Sequence, residues 1–218
     1  MLKIGHRGAP FRAFENTITS FRKAIALGAE GIELDVRVCK TGELVTFHDV
    51  GMERHTTKKG YIRDLTLSEL QAIPLPGNEK ISTLPEIFES IGKELYYFIE
   101  LKAEEALLPT IRLMEEYIER GWKNLILISY FEEARRHSEL ITTAATFAKL
   151  EPNDIARSKA AGAAMIILDY YSITQAKIDE IHESDMKIIA CTVNELSDIS
   201  RIKSMGVDGI MSDYPDRL

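Results

Sequence analysis

Residues 31–49 have the sequence GIELDVRVCKTGELVTFHD, which puts acidic side chains on what is otherwise a buried strand. Side chains alternate between the two faces of a strand, so Glu33 and Asp35 share one face while Ile32 and Leu34 share the other. Two carboxylates held together away from water must be protonated or bind a cation, and their oxygens suit hard ions such as Mg²⁺ or Ca²⁺. The alternative is a strand that faces the surface and precedes an Asp-rich turn.

The end of the same stretch adds a titratable pair. After a turn at residues 40–43, the short apolar run 44–47 leads to His48 and Asp49. We expect this run to form an extra short strand beside the second strand, which brings His48 to the same mouth as the two carboxylates.

The first strand ends in a similar way, because Ile4 is followed by Gly5, His6, Arg7 and Gly8. Taken alone, a histidine at a strand end is more often a structural residue. A helix with apolar positions at helical spacing then runs from residue 18 to 27, and either Asn16 or Thr17 is expected to cap it. Strand, helix and strand form a parallel βαβ unit.

The strand at residues 96–102 repeats the pattern of the second strand. Glu100 and Lys102 share one face, opposite Ile99 and Leu101. A salt bridge at a strand end would explain this pair by itself. Three acids on two apolar strands are explained more simply as ligands of one metal ion.

Strands and helices alternate regularly after this point. We expect strands near 125–129, 144–148, 165–168, 187–193 and 209–212, and helices near 104–120, 131–139, 152–161, 174–183 and 195–205. Together with the earlier strands they predict a single-domain (β/α)₈ TIM barrel over residues 1–218, with residues 50–92 as a small insertion over the active-site mouth. The runner-up is an open doubly wound sheet, which the lack of a glycine-rich loop after the first strand disfavours.

Composition limits the classes of partner. The chain has 218 residues, 45% of them hydrophobic and 28% charged, and a net charge of −7 with its cations interspersed among acids. This pattern argues against a nucleic-acid surface, and we find no apolar run of the ~20 residues that span a bilayer. We expect a cytoplasmic protein without stable membrane insertion. Cys39 and Cys191 lack metal-ligand or redox spacing and are expected to be reduced and structural.

Along nearly its whole length the chain resembles the glycerophosphodiester phosphodiesterase family. The resemblance rests on several motifs in the family's order, none of which is decisive alone. They are His6-Arg7-Gly8, Glu15-Asn16-Thr17, GAEGIELDV from Gly28, His48-Asp49 with Arg54 and Thr56 beyond, IELK from Ile99, TVNE from Thr192, and GVDGIMSDYP from Gly206.

The resemblance implies a somewhat distorted barrel and a set of site residues. It assigns one divalent metal ion, Mg²⁺ or Ca²⁺ with Mn²⁺ as a third candidate, to three carboxylates. It further assigns two histidines to acid/base chemistry and two cations to the phosphate. In that order the residues are Glu33, Asp35 and Glu100; His6 and His48; and Arg7 and Lys102.

The activity implied is hydrolysis of small glycerophosphodiesters, such as glycerophosphocholine or glycerophosphoethanolamine, to sn-glycerol 3-phosphate and an alcohol. A cyclic glycerol phosphate is the expected intermediate, and the residues leave open which histidine acts first as base. The protein is expected to be a monomer or a homodimer.

Two positions depart from the family pattern. Phe14 stands where proline commonly precedes Glu-Asn-Thr, and Cys191 stands where tryptophan often precedes Thr-Val-Asn. We assign Asn16 and Cys191 to the wall of the substrate pocket, where a smaller residue changes the shape offered to the alcohol. His55 is interpreted as a loop residue without a catalytic role.

Two other functions compete with this one. A related phospholipase would use a similar histidine pair and metal, but it would favour an apolar rim or a basic patch around the mouth, and the sequence shows no strong stretch of either. A barrel that only binds would be expected to have lost some of the histidines, carboxylates and cations that are all present here.

Overall fold

Eight parallel strands close into a barrel in the computed structural model, which describes residues 1–218, with Phe131 described only as part of its helix. The order around the barrel is β1-β2-β4-β5-β6-β7-β8-β9, and β9 pairs back onto β1. The prediction of a (β/α)₈ barrel is confirmed. The strands are β1 Leu2–Gly5, β2 Gly31–Val38, β3 Leu44–Thr46, β4 Tyr96–Leu101, β5 Leu125–Ile128, β6 Thr142–Phe147, β7 Met165–Asp169, β8 Lys187–Cys191 and β9 Gly209–Ser212.

The short strand β3 lies outside the closed barrel, antiparallel to β2, as expected for the apolar run after the turn. Its register pairs Val36 with Thr46 and Val38 with Leu44. The chain therefore reverses just above the carboxylates of β2. Phe47 donates its backbone N–H to the carbonyl of Asp35 at 3.0 Å, which holds the following residue, His48, near the end of β2.

Helices follow most of the barrel strands. They are α1 Ile18–Ala26, α2 Leu67–Gln71, α3 Leu84–Ile91, α4 Leu107–Glu119, α5 Phe131–His137, α6 Asp154–Ala160, α7 Gln175–Glu183 and α8 Leu196–Ser204. Threonine caps set several starts, because a side-chain oxygen satisfies a free N–H of the first turn. Thr17 accepts from Ser20 N–H, and Thr83 forms a capping box with Glu86.

The two faces of the strands bury different cores. Outward residues such as Leu34 and Ile99 are fully buried under the helices. Inward residues such as Ile4, Phe98 and Met211 fill the barrel interior. Because β2 is buried on both faces, its inward carboxylates lie against apolar side chains of the barrel interior rather than in solvent.

Residues 50–92 contain two kinds of structure. The helix α3 packs into the main core, where Leu84, Ile87 and Phe88 are fully buried. The preceding part has a small apolar core of its own, formed with residues of β3 and its flanks. That cluster contains Cys39, Val45, Phe47, Met52, Ile62, Leu70, Leu75 and Ile81.

Among the described residues, none of the helices combines the length and the apolar character needed to cross a bilayer.

An aromatic group ties α3 to the barrel wall. The ring of Phe88 lies 5.1 Å from that of Tyr97, 4.8 Å from that of Tyr117 and 5.1 Å from that of Trp122, measured between centroids. Such pairs add stabilisation beyond the area they bury. Phe88 is therefore a central contact between the helix layer and β4.

We predict that Phe88→Ala lowers the free energy of unfolding by about 3–5 kcal/mol, since it leaves a cavity among rings that cannot collapse into it. Urea denaturation followed by far-UV circular dichroism and by Trp122 fluorescence measures the change. Leu140→Ala is the control, because Leu140 is 61% exposed and its truncation should cost less than about 0.5 kcal/mol. Equal losses in the two variants would contradict this packing.

Candidate active site

Three carboxylates meet at the carboxyl end of β2 and β4. The register places Asp35 beside Glu100, and one oxygen from each of Glu33, Asp35 and Glu100 lies within 4.8 Å of the others. Glu33 and Asp35 are each only 1% exposed. The alternative of a surface-facing strand is therefore excluded, and the two buried acids of β2 form one cluster with the partly exposed Glu100.

The charge of this cluster is only partly compensated. Glu33 Oε1 is buried without a hydrogen-bond partner among the described residues. Burial and the neighbouring charge of Asp35 raise the pKa of Glu33 to about 8. Although burial alone would raise the pKa of Asp35 as well, Lys102 and Arg7 hold it below its usual range. The cluster thus has one carboxylate that still lacks a cation.

A divalent ion fits this arrangement. All the donors are carboxylate oxygens, the ligands that Mg²⁺ and Ca²⁺ prefer, and their spacing allows all three to contact one ion. The unpartnered oxygen of Glu33 is the observation that favours an ion, since a buried carboxylate without a partner is unfavourable. Glu33, Asp35 and Glu100 are therefore the residues that could hold a metal.

Lys102 already neutralises two members of the cluster. Its Nζ lies 2.6 Å from Glu100 Oε1 and 3.0 Å from Asp35 Oδ1. Burial alone would lower the pKa of Lys102, but these two charges raise it above its usual value. The salt bridge considered from sequence thus exists within the carboxylate cluster.

His6 is held by an aspartate from the opposite end of the chain. Its Nδ1 lies 2.7 Å from Asp213 Oδ1, while its Nε2 lies 3.8 Å from Glu33 Oε2. Burial alone would lower the pKa of His6, but Asp213 and Glu33 outweigh it and raise the pKa. Because a carboxylate accepts hydrogen bonds, Nδ1 carries a proton and Nε2 is the nitrogen turned toward the cluster.

Asp213 is itself fixed by Asn194. The Asn194 amide donates to Asp213 Oδ2 at 2.7 Å, and the Asp213 backbone N–H donates to Asn194 Oδ1 at 2.9 Å. Arg217 Nη1 donates in turn to the carbonyl of Asn194 at 2.7 Å. Residues of the loops after β8 and β9 therefore orient the ring of His6, which directly follows β1.

His48 has an equivalent arrangement on the other side of the mouth. Its Nδ1 lies 2.7 Å from Asp49 Oδ1, and Arg54 pairs with both oxygens of Asp49. Although burial alone would raise the pKa of Asp49, the hydrogen bonds from Arg54 and His48 lower it to about 2. Asp49 is therefore ionised at neutral pH, and Nε2 of His48 is again the nitrogen not used by its aspartate.

Arg7 lies between two acids. Its side chain approaches Asp35 Oδ2 at 3.3 Å through Nε and donates to Glu15 Oε1 at 3.2 Å through Nη1. Its backbone N–H donates to Glu33 Oε2 at 2.9 Å, in a turn where Arg7 has φ +54°. The turn after β1 thus binds the carboxylate cluster through both backbone and side chain.

Glu15 collects three basic side chains at one oxygen. Its Oε1 accepts from Arg7 and from Arg54, the latter at 3.0 Å, and lies 3.5 Å from His55 Nε2. Because Arg54 also holds Asp49, Glu15 connects the turn after β1 to the loop that carries His48.

Asn16 and Thr17 have separate tasks, which settles the question of the cap. Thr17 caps α1, whereas Asn16 is 3% exposed and clamps Asp35. The Asn16 amide donates to Asp35 Oδ2 at 2.8 Å, and its oxygen accepts the Asp35 backbone N–H at 3.0 Å. Asn16 adopts φ +58°, a conformation that asparagine tolerates better than most residues.

Cys191 ends β8 and packs at the edge of the barrel interior. Its Sγ lies 3.3 Å from Met211 Sδ and 3.1 Å from Thr192 Oγ1. Burial raises the pKa of the thiol to about 12, so the thiolate form is negligible at neutral pH. Both cysteines are free thiols.

The sequence interpretation assigned no role to four residues that orient this site. Asp213 and Asn194 orient His6, while Glu15 and Arg54 connect Arg7 to the His48 arm. Each of them lies inside a motif or a stretch already noted, in SDYP, TVNE, ENT and the segment after His48. The signal was therefore present, but their partners are far away in the sequence.

Comparisons with known proteins agree with this geometry. Residues 6–217 match the model of the glycerophosphoryl diester phosphodiesterase family. A glycerophosphodiester phosphodiesterase from Caldanaerobacter subterraneus is 31% identical over 234 residues, covering 100% of this chain and 96% of that protein.

Solved structures show the same fold. The glycerophosphodiester phosphodiesterase of Thermotoga maritima matches with a TM-score of 0.83 at 28% identity, over 99% of this chain and 96% of its own. A phosphodiesterase from Oleispira antarctica, solved in complex with the product sn-glycerol-3-phosphate, matches with a TM-score of 0.90 at 25% identity, over 100% and 94%.

We predict that Mg²⁺, Ca²⁺ or Mn²⁺ raises the melting temperature of chelator-treated protein. A ligand at a hundred times its Kd stabilises by about 2.7 kcal/mol, which corresponds to roughly 5–10 °C for a chain of this size. Differential scanning calorimetry measures the shift. Glu33→Gln should abolish it, because this change removes one of three ligands.

Glu104→Gln is the matched control, since Glu104 is an exposed acid on the loop after β4. It should keep the full shift. A shift that survives in Glu33→Gln, or that is lost equally in Glu104→Gln, would show that the ion binds elsewhere.

Proposed function

The chain belongs to the glycerophosphoryl diester phosphodiesterase family, and we propose that it hydrolyses small glycerophosphodiesters to sn-glycerol 3-phosphate and an alcohol. One observation carries the proposal. Three carboxylates, two histidines and two cations converge at the carboxyl end of the barrel, which is where enzymes of this fold have their active sites.

Arg7 and Lys102 are proposed to bind the phosphate. Both lie at the cluster, and each carries donors that suit phosphoryl oxygens, with the guanidinium able to donate two parallel hydrogen bonds. Negative charge builds up on the phosphoryl oxygens as the nucleophile approaches. Two cations at the phosphate would therefore contribute much of the rate enhancement for hydrolysis of the diester.

His6 and His48 are proposed to move the protons. One histidine takes the proton of the glycerol 2-hydroxyl as that oxygen attacks phosphorus, and the other protonates the departing alcohol as its P–O bond breaks. The product of this step is a cyclic glycerol phosphate. Water then opens the ring with the two roles exchanged, and sn-glycerol 3-phosphate is released.

The aspartates are proposed to orient these rings. Asp213 and Asp49 each accept the Nδ1 proton of one histidine, which fixes the tautomer and leaves Nε2 for proton transfer. Glu33, Asp35 and Glu100 would hold a divalent ion. When bound, this ion supplies a Lewis acid that stabilises negative charge on the phosphoryl oxygens.

The wall of the substrate pocket is proposed to include Asn16 and Cys191, beside either the glycerol or the alcohol, and part of the insertion at residues 50–92. What supports the last point is that Arg54 and His55, from this insertion, reach Glu15 and Asp49 beside the mouth. We expect the insertion to influence which alcohol is accepted.

The reaction is tested by release of sn-glycerol 3-phosphate from glycerophosphocholine and glycerophosphoethanolamine, after chelation and after metal is added back. We predict that His6→Ala and His48→Ala each lower kcat by about 10²–10⁴, since each removes one proton-transfer step. His182→Ala should keep full activity, because His182 pairs with Asp208 outside the mouth. Near wild-type turnover in both mouth variants would refute the mechanism.

A second prediction concerns the residue that orients His6. Asp213→Asn should lower kcat by about 10–100-fold while KM changes little, because Asp213 positions a proton carrier rather than the phosphate. Asp216→Asn is the control from the same turn, where Asp216 pairs with Arg12 at 2.6 Å. Steady-state kinetics separate the two parameters. An effect of Asp213→Asn on KM alone would contradict the positioning role.

A further inference from the structure

A groove of about 190 Å³ begins at Lys102 and runs outward between the end of β2 and the insertion. Its walls include Arg37, Val50, Ile62, Arg63, Lys102 and Glu105. A space of this size is enough for a small polar group. Lys102 lines the groove, and its Nζ contacts Asp35 and Glu100, so the groove adjoins the proposed phosphate site.

Arg37 contributes a cation that no acid neutralises directly. Its Nε and Nη2 donate to the carbonyl of His48 at 3.1 and 2.6 Å, and its Nη1 donates to the carbonyl of Lys102 at 3.5 Å. Among the described residues, no carboxylate oxygen lies within 4.0 Å of this guanidinium. Arg37 is thus held in place by backbone carbonyls, and the charges of Asp35, Asp49 and Glu105 act on it without a direct ion pair.

Arg63 contributes a second cation from the opposite wall. Its side chain is 67% exposed, and Asp64, itself 63% exposed, approaches it only to 4.0 Å. The backbone beneath it is ordered, because Ile62 N–H donates to the carbonyl of Val50 at 3.2 Å and Gly51 pairs with Tyr61. The one acid on the walls, Glu105, is exposed. Apart from Lys102, which is paired with Asp35 and Glu100, the lining therefore presents two arginines and one acid in a chain whose net charge is −7.

Any charged part of the substrate that enters this groove, other than the phosphate, must belong to the leaving alcohol. With the phosphate at Lys102, the groove holds whatever lies beyond one of the two ester oxygens. The glycerol half of the substrate carries only hydroxyl groups, so it supplies no charge. A cationic alcohol would meet two arginines, whereas an anionic one would meet complementary charge.

We propose that this groove is the subsite for the leaving alcohol, and that it favours glycerophosphodiesters whose alcohol carries a carboxylate or a second phosphate. The inference rests on the proposed function, whose substrate class it narrows. Arg63 makes the selective contact, since arginine donates paired hydrogen bonds to both anions. Arg37 forms the fixed floor of the subsite.

Two substrates that differ by one carboxylate provide the test. Glycerophosphoserine and glycerophosphoethanolamine have the same reacting ester, and only the serine compound carries the extra anion. Glycerophosphoglycerol and its terminal phosphate monoester form a second pair, which distinguishes a preference for phosphate from one for carboxylate. The measured quantity is kcat/KM for the anionic substrate divided by kcat/KM for the other substrate of the pair. Because both values come from the same protein sample, a loss of folded protein does not change this ratio.

We expect the wild-type ratio to favour the anionic member of at least one pair. Arg63→Ala should reduce that ratio by about three- to ten-fold, because a partly exposed charge pair contributes only modestly to binding. Arg63→Glu should reduce it by more than about ten-fold, because it also repels the anion. The kcat/KM of glycerophosphoglycerol, whose leaving alcohol is uncharged, should stay unchanged in Arg63→Ala. Raising the salt concentration from about 0.05 to about 0.5 M should weaken the preference.

Lys59→Ala is the matched control, because Lys59 is an exposed cation of the same insertion that does not line the groove. Its ratios should equal those of the wild type. Ratios that ignore both Arg63 substitutions, or that change equally in Lys59→Ala, would overturn the subsite. Failure of the wild type to release sn-glycerol 3-phosphate from any of these diesters would instead refute the proposed function itself.

Discussion

Gathering three carboxylates, two of them buried, at the end of two apolar strands is the constraint on which the rest of the structure depends. Glu33 and Asp35 stand on β2 with almost no exposure, and Glu100 stands beside them on β4. Buried carboxylates are unfavourable unless they are paired. The surrounding side chains supply these partners, since Lys102, Arg7 and Asn16 all bind Asp35.

Compensation stops short of Glu33, and this difference explains how the site serves function rather than stability. A third cationic side chain would satisfy Glu33 permanently and would fill the space that an ion needs. Among the described residues, Oε1 of Glu33 instead has no partner, which costs stability, and the three carboxylates together could bind a divalent ion. The two histidines avoid the same conflict because each is paired through Nδ1 with an aspartate outside the cluster.

The sequence predicted the barrel and the members of the site better than it predicted their connections. Alternating strands and helices predict a parallel sheet covered by helices, and the lack of a glycine-rich loop after the first strand favours the barrel over an open sheet. Acids such as Glu33 on an apolar strand are unusual enough to indicate a site. Asp213 and Glu15 escaped assignment because their partners lie in distant loops. Their contacts depend on barrel closure and on turns in which Arg7 and Asn16 adopt positive φ, which no local pattern reveals. The helix expected from residue 104 begins at Leu107, after a short 3₁₀ turn, for a similar reason.

The division between barrel and insertion bears on how specificity and chemistry are separated. The strand ends and the loops directly after them supply His6, Arg7, Glu100 and Lys102, whose positions follow from the barrel register and cannot shift independently. Arg63 stands on the insertion, above a small core of its own. The part of residues 50–92 before α3 packs mainly with β3 and its flanks, whereas α3 packs into the main core. Because Arg63 is 67% exposed, we expect a substitution there to leave the carboxylates in place. With the proposed function, selection of the alcohol would therefore depend on residues 50–92, and the phosphate chemistry would depend on the strand ends.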